Sequence, residues 1–297
     1  MSQNVVLFQM YTDNQSTMVR QKMNDKAVKE MTDDEWFAAI AGTDDKGQST
    51  SLFPLPDPKV QVSSVGNSGT PVLESAFQFW QFTRDLLNSH GNGLSDDSVI
   101  LDFGCAWARI LRFWLRDIPP SQVYGFDIEE RFLSLAKEQV PGCKYSLIQS
   151  SPPLGVSDNT FDLIYAFSVF SHLPEGLTNQ WIKEFARVLK PGGIACITTR
   201  PRAHIEIAGT EAAKTDHSSL YARVITDKEA ALQRYDAGEF VFYPSDGGGG
   251  LVEATYGEAI IPRAYAEANW TDLELVNFYE NYSRTYLQPC FVLRKAG

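Results

Sequence analysis

The chain has 297 residues, 43% of them hydrophobic, and its 37 acidic and 26 basic residues give a formal net charge of −11. That length holds one large α/β domain with an elaboration, or at most two domains, and the apolar content suffices for a buried core. The negative charge repels nucleic acid phosphates, and no basic stripe is present, so nucleic acid is excluded as an expected partner.

Residues 1–70 are polar and interrupted by turn-forming residues, and they are predicted to form an extended N-terminal arm. The apolar run at 5–8 is too short for a signal-peptide core or a membrane span, so we expect a cytoplasmic protein with no membrane contact. The four cysteines are scattered and predicted to be core thiols, and the histidines lack metal-ligand spacing, so no metal is expected.

A strongly helical stretch follows at 71–87. It carries too many aromatic side chains for a solvated helix, and we therefore expect it to pack against the core. Those aromatic residues are Phe77, Phe79, Trp80 and Phe82.

The most informative segment runs from 98 to 128. A strand at 98–103 is followed by a turn of small residues, a helix predicted to begin near Trp107, and a strand at 122–126 that closes on Asp127. Small residues let the backbone pass close to a ligand, and the helix would aim free N–H groups at an anion. A carboxylate at this strand end can accept hydrogen bonds from both hydroxyls of a ribose, so the segment predicts an adenosine-like ligand.

Further strands are predicted at 143–148, 161–166 and 193–199, with intervening helices that provide the crossovers of a parallel sheet. The pattern then breaks over an insertion at 201–253, which contains a helix near 226–236 and four glycines at 247–250. An insertion at this edge of a sheet lies where ligands bind, so it is the candidate acceptor-binding cap.

The chain is predicted to close with a helix at 257–268 and strands at 273–278 and 289–294. Together with Asn159 to Ala166, Ser168 to Leu173 and the Arg-Val-Leu-Lys-Pro-Gly-Gly run that ends at Gly193, this order resembles the class I S-adenosylmethionine-dependent methyltransferases over residues 64–297.

The resemblance implies a Rossmann-like, seven-stranded, mostly parallel sheet with helices on both faces, an antiparallel last strand and an inserted cap between strand 5 and the last helix. It also implies an N-terminal arm at 1–70 and a methyltransferase domain at 71–297, with its core at 98–200 and 254–297 and its cap at 201–253.

The resemblance further implies S-adenosyl-L-methionine as cofactor and S-adenosyl-L-homocysteine as product. Asp127 would bind the ribose, while Asp102 would either orient the loop or reach the cofactor's amino group through water. Ser150 and Ser151 stand where many relatives have an acid for the adenine amino group. The implied cofactor-binding residues are Asp102, Phe103, Gly104, Cys105, Ala106, Arg109, Asp127, Ile128, Ser150, Ser151, Ala166 and Phe167.

The chain departs from the family's Gly-x-Gly-x-Gly pattern at Ala106 and Ala108. If either alanine needs a positive φ, its methyl group costs about 1 kcal/mol. A catalytically degenerate relative that acts as a binding or regulatory module is therefore an alternative. A nicotinamide-dependent oxidoreductase is disfavoured, because Gly-x-Gly-x-x-Gly is absent.

Methyl transfer needs an acceptor that is positioned and, for a hydroxyl, deprotonated. His172 follows the fourth strand and is predicted either to act as general base or to cap the next helix. Arg200, Arg202 and His204 follow the fifth strand and fit either an anionic acceptor or an exposed loop. Tyr256 and Glu258 are further acceptor-side candidates.

The Phe-Gly-Cys-x-Trp-x-Arg and Phe-Ser-His motifs also resemble bacterial stand-alone methyltransferases that accompany glycan-modifying enzymes. The sequence thus predicts an enzyme that methylates a small anionic or sugar-like acceptor, preferably on oxygen. It does not predict the oligomeric state.

Overall fold

The computed structural model describes residues 28–42, 51–212, 225, 227–245, 255–281 and 288–297. The apolar run at 5–8 and the glycine run at 247–250 lie outside these ranges. Within them, no helix is both long and apolar enough to cross a membrane.

Helices and strands alternate through the central part of the chain, and a 3₁₀ helix, Leu111–Arg116, takes the place of the first crossover helix. The helices are α1 Asp33–Ala41, α2 Pro58–Val65, α3 Thr70–His90, α4 Glu130–Gln139, α5 Glu175–Val188, α6 Arg202–Ala212, α7 Lys228–Asp236 and α8 Arg263–Asn269. The strands are β1 Ile100–Phe103, β2 Val123–Asp127, β3 Lys144–Leu147, β4 Phe161–Ala166, β5 Leu189–Thr198, β6 Val241–Pro244, β7 Gly257–Ile260, β8 Glu274–Tyr279 and β9 Cys290–Arg294.

Seven strands form one sheet in the order β3-β2-β1-β4-β5-β9-β8. The pairs β2·β3, β1·β4 and β4·β5 are parallel, whereas β9 runs antiparallel to both β5 and β8. The predicted seven-stranded, mostly parallel sheet with an antiparallel last strand is confirmed. A separate antiparallel pair, β6·β7, belongs to the inserted region and its exit, and the sequence did not predict it.

The described residues divide into two compact units that do not follow chain order. One comprises the described parts of Met1–Gln81 with Ser95–Ser98 and Cys105–Leu147; the other comprises Phe82–Leu94, Val99–Gly104 and the described parts of Ile148–Gly297. The division into an arm, a core and a cap stays a prediction.

The first unit is built on an aromatic core that includes the N-terminal segment. Trp36 of α1 is fully buried, and its indole N–H donates to the Phe113 carbonyl at 2.9 Å. Thr32 and Glu35 form a capping box at the start of α1, and Pro58 occupies the first turn of α2. The prediction that residues 1–70 are extended is therefore wrong for α1 and α2.

The second unit is built on fully buried strands. All side chains of β1 and β4 are buried, as expected for central strands of a parallel sheet. The Phe103 ring at the end of β1 packs edge-on against Trp181 and Phe185 of α5, with centroids 4.7 and 5.1 Å apart. These contacts fix where β1 ends.

Two predicted helices differ in the structure. The helix expected to begin near Trp107 is replaced by turns and then by the 3₁₀ helix, because Ala106 and Ala108 have φ of 44° and 61°, which no right-handed helix accommodates. The helix expected at 257–268 begins as β7, which pairs with β6, and helical structure starts only after Pro262.

Candidate functional site

The turn after β1 is held by main-chain and carboxylate contacts within the first unit. The Cys105 N–H donates to the Phe126 carbonyl at 3.1 Å, and the Ala106 N–H donates to Oδ2 of Asp127 at 2.8 Å. Both contacts bind the turn to the carboxyl end of β2. The turn and the acidic strand end that the sequence singles out are therefore in direct contact, and their binding of a ligand stays a prediction.

Asp127 is only 8% exposed, and its other oxygen, Oδ1, accepts the N–H of Glu129 at 2.9 Å. Burial raises the pKa of this carboxyl group, while the N–H donors oppose that shift. Asp127 therefore has a structural role, because both of its oxygens brace the turn and the chain after β2. Next to it, Ile128 is 39% exposed and offers an apolar surface.

Arg109, a predicted cofactor ligand, is buried and directed toward α3. Its Nη1 donates to the Val72 carbonyl at 2.8 Å and to Oγ of Ser75 at 3.1 Å. These contacts give Arg109 a role in holding the turn to α3. Cys105, in the same turn, is also buried.

The remaining cofactor candidates belong to the second unit. Gly104 has φ of +79°, and a Cβ there would clash with the Val169 side chain, so glycine is required at this position. Asp102, Ala166 and Phe167 are buried at strand ends, whereas Ser150 and Ser151 are exposed. Their roles toward the cofactor stay predictions.

Sequence reasoning gave no role to Ser168, which follows the end of β4 with a strained φ of 60°. Its N–H donates to Oγ1 of Thr198 at 2.7 Å, and its hydroxyl accepts from Nε2 of Gln288 at 3.0 Å. Thr198 in turn donates to Oε1 of Gln288 at 2.5 Å. No sequence signal pointed to this network, because its members lie 30 and 120 residues from Ser168.

Three of the candidate residues, His172, Arg200 and His204, meet around the carboxylate of a fourth, Glu258, whose side chain is 11% exposed. The Arg200 guanidinium donates from Nε to Oε2 at 2.6 Å and from Nη2 to Oε1 at 3.3 Å. Nδ1 of His172 lies 3.7 Å from Oε1, and Nε2 of His204 lies 3.4 Å from Oε2. Burial opposes ionisation of Glu258, but these neighbours outweigh it and lower its pKa to about 2. We call this set, with Tyr256, the Glu258 cluster.

The tautomer of His172 follows from its partner. Nδ1 lies 2.8 Å from the Gly257 carbonyl, which can only accept, so Nδ1 carries the proton and Nε2 carries the lone pair. The ring stacks on Tyr256 with centroids 4.6 Å apart and an interplanar angle of 7°. Burial and the Arg200 charge lower the pKa of His172 to about 4, so the imidazole is neutral at physiological pH.

The structure does not bring Arg202 into this cluster. Its guanidinium donates to both oxygens of Asp236 at 2.8 and 2.7 Å and to Glu206 at 2.9 Å. These are exposed ion pairs, with side-chain exposures of 41% to 55%, typical of a solvated surface.

The buried imidazole predicts a pH dependence of stability. The folded-state pKa of His172 is below the unfolded value of 6.5, so the unfolded chain binds more protons between pH 6.5 and 4, and stability falls as pH falls through that window. From pH 6.5 to 5 the loss is about 2 kcal/mol. Urea unfolding across this range is expected to show a loss that is absent from His172→Gln. Parallel profiles for the two proteins would contradict the assignment.

Comparison with known proteins finds a match to one domain in the central part of the chain. Residues 100–193 match the family described as a methyltransferase domain. An uncharacterized methyltransferase of Schizosaccharomyces pombe is 31% identical over 108 residues, which are 33% of this chain and 38% of that protein. The chain thus spans well under half the length of this curated relative.

Two solved structures share the fold at low identity. A methyltransferase from Clostridium acetobutylicum, described as S-adenosylmethionine-dependent, aligns with a TM-score of 0.50 and 12% identity over 75% of this chain and 92% of its own. DesVI of Streptomyces venezuelae aligns with a TM-score of 0.50 and 16% identity over 82% of this chain and 100% of its own. Residues 100–193 are thus similar to a methyltransferase domain, and the chain shares the fold of these two solved structures.

Proposed function

We propose that the protein transfers the methyl group of S-adenosylmethionine to a hydroxyl of a small, uncharged acceptor such as a sugar. The observation that carries the proposal is the neutral imidazole of His172, with Nδ1 bonded to Gly257 and Nε2 left as proton acceptor. A general base of this kind contributes typically 10²- to 10⁴-fold to a rate. The family's cofactor supplies an electrophilic methyl group on a sulfonium.

Two residues of the first unit support the proposal that the cofactor's ribose and adenine bind there. The Asp127 carboxylate ends β2 as a hydrogen-bond acceptor, and the exposed Ile128 side chain beside it offers an apolar surface for an adenine ring. Among the described residues no hydrogen bond involves Nε2 of His172, and the largely buried side chain keeps 15% of its surface exposed. When Nε2 takes the acceptor's proton, the Nδ1–H faces Gly257 and Glu258, and the carboxylate stabilises the imidazolium.

The charges of the Glu258 cluster favour an uncharged acceptor. Of the three cationic side chains that the sequence predicted for an anionic acceptor, Arg200 is paired with Glu258, and His204 lies 3.4 Å from the same carboxylate. His172, the nearby general-base candidate, is neutral. Arg202, the second arginine of that prediction, is paired with Asp236 and Glu206. These paired charges favour an acceptor hydroxyl, whose proton passes to His172, over an acceptor carboxylate.

The test uses S-adenosylmethionine tritiated in its methyl group, with methyl α-D-glucopyranoside and D-glucuronate as a neutral and an anionic probe of similar shape. We expect label in the neutral sugar and a loss of at least 100-fold in kcat for His172→Gln, with unchanged S-adenosylhomocysteine affinity. Preferred labelling of glucuronate would contradict the uncharged acceptor. Cofactor binding without labelling of either probe would favour the degenerate binding module.

A further inference from the structure

The turn after β1 holds two alanines in a conformation that normally requires glycine. Ala106 and Ala108 have φ of 44° and 61°, and the left-handed region costs a non-glycine residue about 1–2 kcal/mol. Such strain persists only where surrounding contacts leave the chain no alternative. The contacts that hold Ala108 therefore determine the shape of the turn.

The Ala108 N–H donates to the Cys105 carbonyl at 2.8 Å, and the Arg112 side chain binds the carbonyl groups of the turn. Its Nε donates to the Ala108 carbonyl at 3.1 Å, and its Nη2 donates to the Trp107 carbonyl at 3.4 Å. The guanidinium carbon also lies 5.0 Å from the centroid of the Trp107 ring. One planar side chain thus binds two successive carbonyl groups of the strained turn.

The other edge of the guanidinium binds the N-terminal segment. Nη1 donates to the carbonyls of Phe53 and Pro54 at 3.4 and 3.3 Å. Arg112 is fully buried, and among the described residues it pairs with no carboxylate. A buried cation that is bound by carbonyl groups and an aromatic ring, without a carboxylate, is costly to remove from water, so its presence calls for a role beyond packing.

A second contact joins the same two parts of the unit. The Trp107 indole Nε1 donates to Oγ of Ser64, in α2, at 2.9 Å. The turn is therefore fixed to residues 53–64 on one side and to the Asp127 carboxylate on the other.

We propose that Arg112 is a positioning residue for the cofactor: it holds Ala108 and Trp107 in the left-handed turn and so replaces the conformational freedom that glycines give to relatives. The N-terminal segment that the sequence suggested was an arm is then a structural part of the cofactor site, through Phe53, Pro54 and Ser64. The inference rests on the proposed cofactor binding.

The test is a double-mutant cycle read by isothermal titration with S-adenosylhomocysteine. Arg112→Gln is expected to weaken binding at least tenfold. In an Ala108→Gly background, glycine adopts the left-handed conformation without steric cost. There the loss of affinity caused by Arg112→Gln is expected to be at least five times smaller than in the wild-type background. A residue that only stabilises the fold would show no such rescue.

Arg116→Gln is the matched control, because Arg116 is also buried, lies over Trp80 and pairs with Asp33 and Asp117 without touching the turn. It is expected to lose stability and keep its affinity within threefold. If Arg112→Gln does not fold, Arg112→Lys, which keeps the charge and loses the planar fork, takes its place in the cycle.

Wild-type affinity in folded Arg112→Gln, or an equal loss in both backgrounds, overturns the proposal while leaving the proposed function intact. Absence of binding by the wild-type chain overturns both.

Discussion

Asp127→Ala is expected to weaken S-adenosylhomocysteine binding at least 100-fold. The substitution removes the carboxylate that would accept the ribose hydroxyls, and hydrogen bonds to a charged group contribute about 1.5–3 kcal/mol each. It also leaves the N–H groups of Ala106 and Glu129 without their acceptor, so the turn loses its tie to β2. Isothermal titration at pH 7 measures the loss.

Two further variants separate binding from folding. Asp127→Asn keeps the shape and one acceptor, so an intermediate loss is expected. Asp33→Ala removes the acid that pairs with Arg116 in the same unit, away from the turn, and is expected to leave affinity unchanged. Folded Asp127→Ala that binds as tightly as the wild type would show that Asp127 only braces the turn.

The largest expected effect on stability is at Glu258. Glu258→Ala leaves the Arg200 guanidinium in a largely buried position without its carboxylate, and breaking a buried ion pair from one side costs about 3–5 kcal/mol. The loss is expected as a lower urea midpoint at pH 7, with the slope of the transition unchanged.

Asp236→Ala is the matched control for that experiment. Asp236 also binds an arginine through both oxygens, but it and Arg202 are about half exposed, so a loss below about 1 kcal/mol is expected. Equal losses in the two variants would show that the Glu258 cluster is solvated and would remove the basis for a neutral, buried His172.

Several features were predictable from sequence because they depend on local pattern. The apolar runs placed β1, β2, β4 and β9 within about two residues of their observed positions. The carboxyl ends of parallel strands share one edge of a sheet, and His172, Arg200 and His204, which follow β4 and β5, meet at Glu258.

What the sequence could not give depends on contacts between distant residues. The helix predicted at Trp107 is absent because Ala106 and Ala108 adopt left-handed conformations, and Asp127 and Arg112 form hydrogen bonds to these two residues. Helix propensity depends on local sequence and contains no information about those hydrogen bonds. The pairing of Arg202 with Asp236 rather than with the cluster depends on how α6 and α7 pack. Ion pairs between residues so far apart in the chain cannot be predicted from the spacing of charged residues in the sequence.

The central claim is that this chain binds S-adenosylmethionine through the turn after β1 and the acid that ends β2. Isothermal titration of the wild-type protein with S-adenosylhomocysteine, and separately with NAD, tests it most directly. We predict saturable heat at one site per chain with S-adenosylhomocysteine and none with NAD. Heat with NAD alone, or with neither ligand while the protein is folded, would contradict the claim.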